Sequence, residues 1–168
     1  MPVENLKLRR LLADDVDRFR VLRLMALGEN PRAYLQTYDE EKDRPRAFHA
    51  HMVENNIVMG AFQGYLMIGY TILSLNQHRK MSHKGMVWGA YVRPAYRNHD
   101  LGKQMRLRLF EVAKEIGLKL CTSSIIANNA AALKVHEAVG YIEMFREKDG
   151  VQHLDGTFDD LIHLVKYL

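Results

Sequence analysis

The apolar positions in the second half of the chain form one long helical stripe. Leu101, Met105, Leu109, Val112 and Ile116 recur three or four residues apart, a spacing that predicts the buried face of a long helix. The glycine that follows, at position 117, suits a left-handed cap at the end of that helix.

Weaker helical patterns occupy the N-terminal third. Apolar residues at helical spacing predict a helix over Asp15 to Leu27, with Asp14 as its cap and Gly28 at its end. A second helix is predicted over Pro45 to Asn55. Between them, Gly28 to Arg44 reads as a loop or short helical turns. A short helix capped by Asn128 or Asn129 is predicted near the C-terminus, over 130–139.

Short apolar or alternating runs bounded by turn residues predict strands. They cover Leu6–Leu12, Ile57–Gln63, Tyr65–Leu75, Met86–Val92, Leu118–Ile126, Tyr141–Glu147 and Thr157–Leu168. The resulting order is β-α-α-β-β-β-α-β-α-β-β. It predicts an α/β fold with a mixed sheet of about seven strands and helices on both faces, in which the strands around the long helix are parallel with a right-handed crossover.

The amino-acid composition is typical of an ordinary globular protein. Its 168 residues, 48% hydrophobic and 26% charged, predict a single domain over 1–168. No apolar run is long enough to span a bilayer, and Met1-Pro2-Val3-Glu4 lacks the pattern of a secretory signal. The single cysteine, Cys121, excludes an intramolecular disulfide and suits a reducing compartment. We therefore expect a cytoplasmic protein, monomer or homodimer, without a membrane partner.

Positive charge is concentrated before and within the long helix. The net charge is +4, and five basic residues oppose only Asp100 between positions 93 and 108. These are Arg93, Arg97, Lys103, Arg106 and Arg108. Such a run is either a solvated helix face or an anion site. No RNA-binding aromatic signature, zinc-finger spacing or leucine zipper is present, so we expect no nucleic-acid partner.

The segment from Val92 to Lys103 joins a strand to the start of the long helix. Unpaired N–H groups and the helix dipole make such a start a natural site for a pyrophosphate. Gly102 removes a side chain where a ligand can approach the backbone, and Arg97 and Lys103 add charge-assisted contacts.

This segment resembles the acyl-CoA-binding motif of the GNAT N-acetyltransferases, Arg/Gln-x-x-Gly-x-Gly/Ala after a Val-x-Pro strand end. A second motif, Asn129-x-x-Ala132 with His136 and Gly140-Tyr141, resembles the family's Asn-x-x-Ala-x-x-x-Tyr-x-x-x-Gly-Phe at the family's separation. Trp88-Gly-Ala-Tyr-Val92 and 155–160, Asp-Gly-Thr-Phe-Asp-Asp, resemble one bacterial branch. The resemblance covers about residues 84–168.

The resemblance implies acetyl-CoA as co-substrate, a V-shaped opening between the fourth and fifth strands, and direct attack by an amine in a ternary complex. Backbone groups of Ala90, Tyr91 and Val92 would pair with the pantetheine arm, and one N–H would stabilise the oxyanion. Amides from Asn98 to Lys103 would hold the pyrophosphate, and Asn129 would contact the cofactor further along. The implied cofactor residues are thus Ala90, Tyr91, Val92, Arg97, Asn98, His99, Asp100, Leu101, Gly102, Lys103 and Asn129.

Two positions depart from the family pattern. Asp100 stands at the first glycine, where its carboxylate either repels the pyrophosphate or points to solvent. His136 stands where the family has a tyrosine that protonates the leaving thiolate. It is either the general acid, since imidazole titrates near neutral pH, or a helix-face residue that fills space.

The general base is not identifiable from sequence. Some relatives use a glutamate on the fifth strand, where this chain has Thr122-Ser123-Ser124. The loops contain several residues that could border an acceptor site, and a water chain is an equal alternative. These loop residues are Glu29, Asp39, Glu40, His78 and His83, with Tyr34 and Tyr38 as candidate lining or packing aromatics.

No metal site is expected, because there is no His-Glu-x-x-His and His49 and His51 lack a third ligand. Cys121 lies in an apolar strand and is predicted to be inert. The predicted function is transfer of an acetyl group to a primary amine of a small molecule, peptide or protein. The alternative is a catalytically silent acyl-CoA-binding sensor or interaction protein.

Overall fold

A computed structural model describes residues 4–168. Met1 to Val3, on which part of the expectation about a secretory signal rests, lie outside the described residues. The strands are β1 Leu6–Arg10, β2 Asn56–Gln63, β3 Leu66–Leu75, β4 Lys84–Val92, β5 Leu120–Ile126, β6 Ile142–Gln152 and β7 Phe158–Tyr167. The α-helices are α1 Val16–Glu29, α2 Tyr38–Glu41, α3 Arg46–Asn55, α4 Leu101–Glu115 and α5 Ala130–Ala138. None of the helices in this part of the chain is long and apolar enough to cross a bilayer.

The seven strands form one mixed sheet in the order β1-β2-β3-β4-β5-β7-β6. Strands β4 and β5 are parallel and are connected through α4, whereas the other neighbours are antiparallel. The predicted α/β fold with a seven-stranded mixed sheet is therefore confirmed.

Alternating side chains divide the core between the two faces of the sheet. Along β2, Ile57 and Met59 pack in one buried cluster with α4, and Val58 and Phe62 pack in another with α1 and α3. This period of two explains why β2 reads as a continuous apolar run, since both of its faces are covered.

Three helix predictions need correction. Gly28 does not end α1, which continues to Glu29 and has Asn30 as its C-cap. Asp14 does not cap α1; instead the Asp15 carboxylate accepts the N–H of Leu12 at 2.9 Å and pairs with Arg9. Strand β1 ends at Arg10 rather than at Leu12. Ile116 is not part of the buried stripe. It is 48% exposed because α4 ends at Glu115, and the helix instead buries Arg106, Phe110 and Ala113.

The other boundaries are close to their predictions. The left-handed conformation of Gly117 is confirmed, with φ of +87°. Asn129 rather than Asn128 caps α5, because its side chain accepts the N–H of Ala132 at 3.1 Å. Strand β6 extends beyond Glu147 to Gln152, past an irregularity in its pairing with β7.

A buried ion pair fixes the connection between α1 and α3 against the sheet. Arg23 on α1 contacts Glu41 on α2 at 2.6 Å, and both side chains are almost fully buried. The guanidinium also lies over the rings of Tyr34 and Trp88, 5.7 and 5.5 Å from their centroids. This arrangement holds Tyr34 beside β4, where the hydroxyl donates to the carbonyl of Ala90 at 2.9 Å.

Candidate active site

Strands β4 and β5 pair only at their N-terminal ends. The register joins Lys84 to Leu120, Gly85 to Cys121 and Met86 to Thr122. Beyond these positions β4 continues to Val92 and β5 to Ile126 without further pairing to each other. A V-shaped gap therefore opens in the middle of the sheet.

A bulge in β4 turns the strand at the edge of this gap. The register between β3 and β4 shifts between Tyr70 and Ile72. Opposite this shift, Gly89 has φ of +67°, and an added Cβ would lie 3.1 Å from Ile72. The positive φ and the close approach both favour glycine, and the bulge turns Ala90 toward the gap.

The gap continues into a large cavity of about 690 Å³ between β4, α4 and α5, a volume typical of small-molecule sites. All the predicted cofactor residues except His99 line it. The carbonyl of His99 accepts a hydrogen bond from the Gln104 side chain at 3.2 Å. The residues predicted from the two sequence motifs therefore form one continuous wall of this cavity.

The turn before α4 bends through two left-handed residues. Asn98 has φ of +64°, and Asp100, the residue before the first helical one, has φ of +55°. At the start of α4, the N–H groups of Leu101, Gly102 and Lys103 precede the first intrahelical donor, so they are available to an anion. The side chain of Asp100 makes no capping hydrogen bond and is exposed.

One family of known proteins matches most of this chain. The acetyltransferase (GNAT) family matches residues 18–141. The chain belongs to the GNAT acetyltransferase family. No curated protein sequence matches it.

The GNAT chain also resembles solved structures at low identity, which shows the fold alone. It is 19% identical to a GNAT acetyltransferase from Streptococcus pneumoniae, covering 97% of this chain and 99% of that one, with a TM-score of 0.82. The Salmonella typhimurium protein YncA, solved with its cofactor acetyl-CoA, is 17% identical, with 98% and 95% coverage and a TM-score of 0.85. A ribosomal-protein-alanine N-acetyltransferase from Brucella melitensis is 20% identical, with 96% and 99% coverage and a TM-score of 0.78.

Four basic side chains of this GNAT domain line the large cavity. They are Arg97, Lys103 and Arg106 near the turn, and Lys134 on α5. Arg106 is 4% exposed, and its Nε and Nη1 atoms are buried without a hydrogen-bond partner in the described residues. The sequence analysis placed Arg106 only in a basic run and did not predict it as a cavity residue. Its position four residues after Gly102 could have indicated this, because that spacing places both residues on one helix face.

A small polar chamber of about 80 Å³ adjoins the large cavity and shares walls with it at Tyr34, Ala90 and Asn129. His136, Ser123 and Ser124 line only this chamber. Neighbouring residues of a strand point to opposite faces, so Ser123 and Ser124 border the chamber from opposite sides of the sheet. None of the predicted loop candidates for a general base lines either cavity.

His136 is buried and held at both ring nitrogens. Its Nδ1 lies 2.7 Å from the carbonyl of Ala132, so Nδ1 carries the proton, and its Nε2 lies 3.0 Å from the hydroxyl of Ser123. Burial and the nearby positive charge of Arg106 lower the pKa of His136 to about 3. The lowered pKa leaves the ring without an acidic proton to donate at pH 7, which argues against its acting as general acid. The Ser123 hydroxyl also lies 2.9 Å from the carbonyl of Val87, to which it can donate its single proton.

Replacing Gly102 with alanine should separate folding from ligand binding. An added Cβ would meet no protein atom closer than Val135 at 3.6 Å, so we expect unfolding stability to stay the same or to rise by up to about 1 kcal/mol. Acetyl-CoA affinity, measured by calorimetry, should fall at least about tenfold if a phosphate approaches the backbone there.

The matched control for G102A is Gly28→Ala. Gly28 also lies near a helix end, and its added Cβ would meet only Tyr38 at 3.6 Å. G28A should show a similar stability change with unaltered affinity. Equal acetyl-CoA affinities in wild type, G102A and G28A would contradict the prediction that a phosphate closely approaches the backbone of Gly102.

Replacing Asp100 with glycine should improve acetyl-CoA binding. Glycine adopts the left-handed conformation without steric cost, and the exchange removes an exposed carboxylate from the cavity wall. We expect severalfold tighter binding at low salt and a smaller gain at high salt, because exposed charges are screened.

The control for D100G is Asp149→Gly, at another left-handed aspartate with φ of +53° on β6. Calorimetry at two salt concentrations would compare the two variants. A gain shared by D149G, or weaker binding by D100G, would contradict a repulsive role for Asp100.

Replacing His136 with phenylalanine tests the general-acid interpretation. Loss of a general acid slows a reaction by about 10²–10⁴-fold. Because His136 is neutral at pH 7, we expect H136F to lower turnover less than about tenfold and to keep the pH dependence of the wild type. A larger loss, with a missing limb in the pH–rate profile, would restore His136 as the acid.

Proposed function

We propose that this protein is an acetyl-CoA-dependent N-acetyltransferase that transfers an acetyl group to a primary amine by direct attack in a ternary complex. The observation that carries the proposal is the continuity of the cavity, from the left-handed turn at α4, past Gly102, to the gap between β4 and β5. The basic residues and free N–H groups at one end of this route, and the unpaired strand edges at the other, suit a ligand with a diphosphate at one end and a reactive acyl group at the other.

The residues along the route fit that ligand. At the turn, Arg97, Lys103 and the N–H groups at the start of α4 supply positive charge and donors for the diphosphate. In the gap, the edge of β4 that β5 leaves unpaired supplies backbone groups around Ala90 and Tyr91 that an extended arm can pair with, as an added strand would. The Ala90 carbonyl already accepts the Tyr34 hydroxyl, which leaves it one further lone pair. Two nitrogens of the buried Arg106 guanidinium, Nε and Nη1, have no hydrogen-bond partner among the described residues, and a polar ligand could supply one.

The bound thioester would supply an activated acyl carbon. The chain's part is to orient the two substrates and to supply backbone N–H groups to the developing oxyanion. A covalent enzyme intermediate on Cys121 is disfavoured, because burial raises the pKa of its thiol to about 11 and leaves no thiolate at neutral pH. Direct transfer within a ternary complex follows.

The acceptor would approach the small chamber beside Ser124 and Tyr34. A primary amine fits the scale of this chamber, whereas the rest of the acceptor would lie outside it. The acceptor is therefore proposed as an amine of a small molecule or of a peptide or protein. The cytoplasmic location and the choice between monomer and homodimer stay predictions.

Two measurements in sequence test the proposed function. Calorimetry with acetyl-CoA should show binding that weakens with salt, and thiol release across a panel of primary amines should then rise above the rate without an amine. Binding without amine-dependent release would favour the catalytically silent acyl-CoA sensor. Absence of binding would overturn both.

A further inference from the structure

A chain of three side chains leads from the small chamber to solvent. The Ser124 hydroxyl lies 3.0 Å from Nδ1 of His163, and Nε2 of the same ring lies 3.0 Å from a carboxylate oxygen of Glu147. The three residues come from the adjacent strands β5, β7 and β6. Ser124 pairs directly with His163 in the sheet register, and His163 pairs with Phe145, two residues from Glu147.

Chemistry fixes where the protons lie in this chain. An ionised carboxylate only accepts hydrogen bonds, so Nε2 of His163 carries the proton that is donated to Glu147. In the neutral ring, Nδ1 then holds a lone pair, and the Ser124 hydroxyl donates to it. The resting arrangement is therefore ready to accept one more proton at Nδ1.

Packing keeps the imidazole in this orientation. The ring of Phe145 stacks on His163 with centroids 4.3 Å apart and planes 18° apart. The side chain of His163 is 22% exposed and that of Glu147 is 54% exposed. Exposure thus increases from the chamber outward, which gives a proton a way into solvent.

Other ionisable groups on this face do not compete for His163. Pleat alternation places Asp159 and Tyr167 of β7 on the same face as His163 and Glu147, and Tyr34 lies across the chamber. Asp159 is held by His153 at 2.7 Å and by Arg32 at 3.3 Å. Strand β5 brings no charged residue.

The remaining ionisable groups of the chamber are unsuited to accept a proton from an amine. The Tyr34 hydroxyl donates to the carbonyl of Ala90, and burial raises its pKa. The Nε2 of His136 faces Ser123 on the other side of the sheet. Ser124 is therefore the chamber residue connected to a base with an exit to solvent.

We propose that Ser124, His163 and Glu147 form the proton relay that deprotonates the acceptor amine. The inference rests on the proposed acetyl transfer and deepens it. The ammonium N–H bond breaks, its proton passes to the Ser124 oxygen, and the electron pair stays on nitrogen as the nucleophile. The serine hydroxyl proton moves to Nδ1 of His163, and the Glu147 carboxylate stabilises the resulting imidazolium.

The substrate class follows from this relay. It serves an amine that arrives protonated, as alkyl amines do near neutral pH with a pKa of about 10. A weakly basic aromatic amine needs no such deprotonation before attack. We therefore expect aliphatic primary amines to depend on the relay and aromatic amines to be insensitive to it.

The test compares His163→Gln, Ser124→Ala and Glu147→Gln with the wild type. His51→Gln is the matched control, because His51 is an exposed histidine of α3 whose ring contacts Asn55. The rate constant kcat/KM for the best aliphatic amine is measured from pH 6 to 10 by thiol release from acetyl-CoA. Calorimetry with acetyl-CoA and thermal unfolding monitor cofactor binding and folding.

H163Q should lose about 10²-fold in kcat/KM at pH 7, and the loss should shrink toward pH 10 as the amine arrives unprotonated. S124A should follow the same pattern, and E147Q should show a smaller loss. Acetyl-CoA affinity and the H51Q control should match the wild type. A folded H163Q that follows the wild type at every pH, or a loss that is constant with pH, would overturn the relay.

Two readouts do not depend on an acceptor. Nitrogen-15 NMR of the wild type should show His163 protonated at Nε2, and a proton on Nδ1 would overturn the arrangement. Mass spectrometry after incubation with acetyl-CoA should find Ser124 unmodified; an acetyl-serine there would make the hydroxyl a nucleophile instead. Failure of the wild type to bind acetyl-CoA removes the proposed function, whereas normal wild-type turnover with unchanged variants removes only the relay.

Discussion

Strands β4 and β5 separate after three paired positions, and this separation in the middle of the sheet shapes everything around it. A strand edge in the middle of a sheet carries backbone donors and acceptors that are costly to leave unpaired when buried. Here β3 provides hydrogen-bond partners for one edge of β4. Strand β7 does the same for one edge of β5 over seven register positions. The two inner edges are left facing a gap, and a ligand with an extended polar arm is the natural partner for them.

The surroundings of the gap keep it open. The bulge at Gly89 bends β4, and the Tyr34 hydroxyl satisfies the Ala90 carbonyl. Tyr34 is in turn placed by the buried pair of Arg23 and Glu41, so an ion pair remote from the chemistry supports its geometry. Removing one member of such a pair costs about 3–5 kcal/mol because the other charge stays buried, so losing this support would strongly destabilise the fold.

The sheet also separates two kinds of chemistry. Toward α4 and α5 the cavity is cationic, with Arg97, Lys103 and Arg106 around the turn. On the other face of β5, Ser124 leads to His163 and a carboxylate. Because neighbouring residues on one strand point to opposite faces, Ser123 and Ser124 connect the two environments across a single peptide.

The order of elements, the mixed sheet and the cavity wall around Gly102 could be predicted from the amino-acid sequence, because these depend on local periodicity and on backbone chemistry within one segment. Its errors at Asp14 and Ile116 lie at helix ends, where one side-chain hydrogen bond or half a turn decides the boundary. The three-dimensional packing was needed to show that Arg106 is buried beside the cavity, and that burial together with this positive charge lowers the pKa of His136. It alone brought Ser124, His163 and Glu147 together, because their contacts come from the register of strands that are distant in sequence, which no local pattern records.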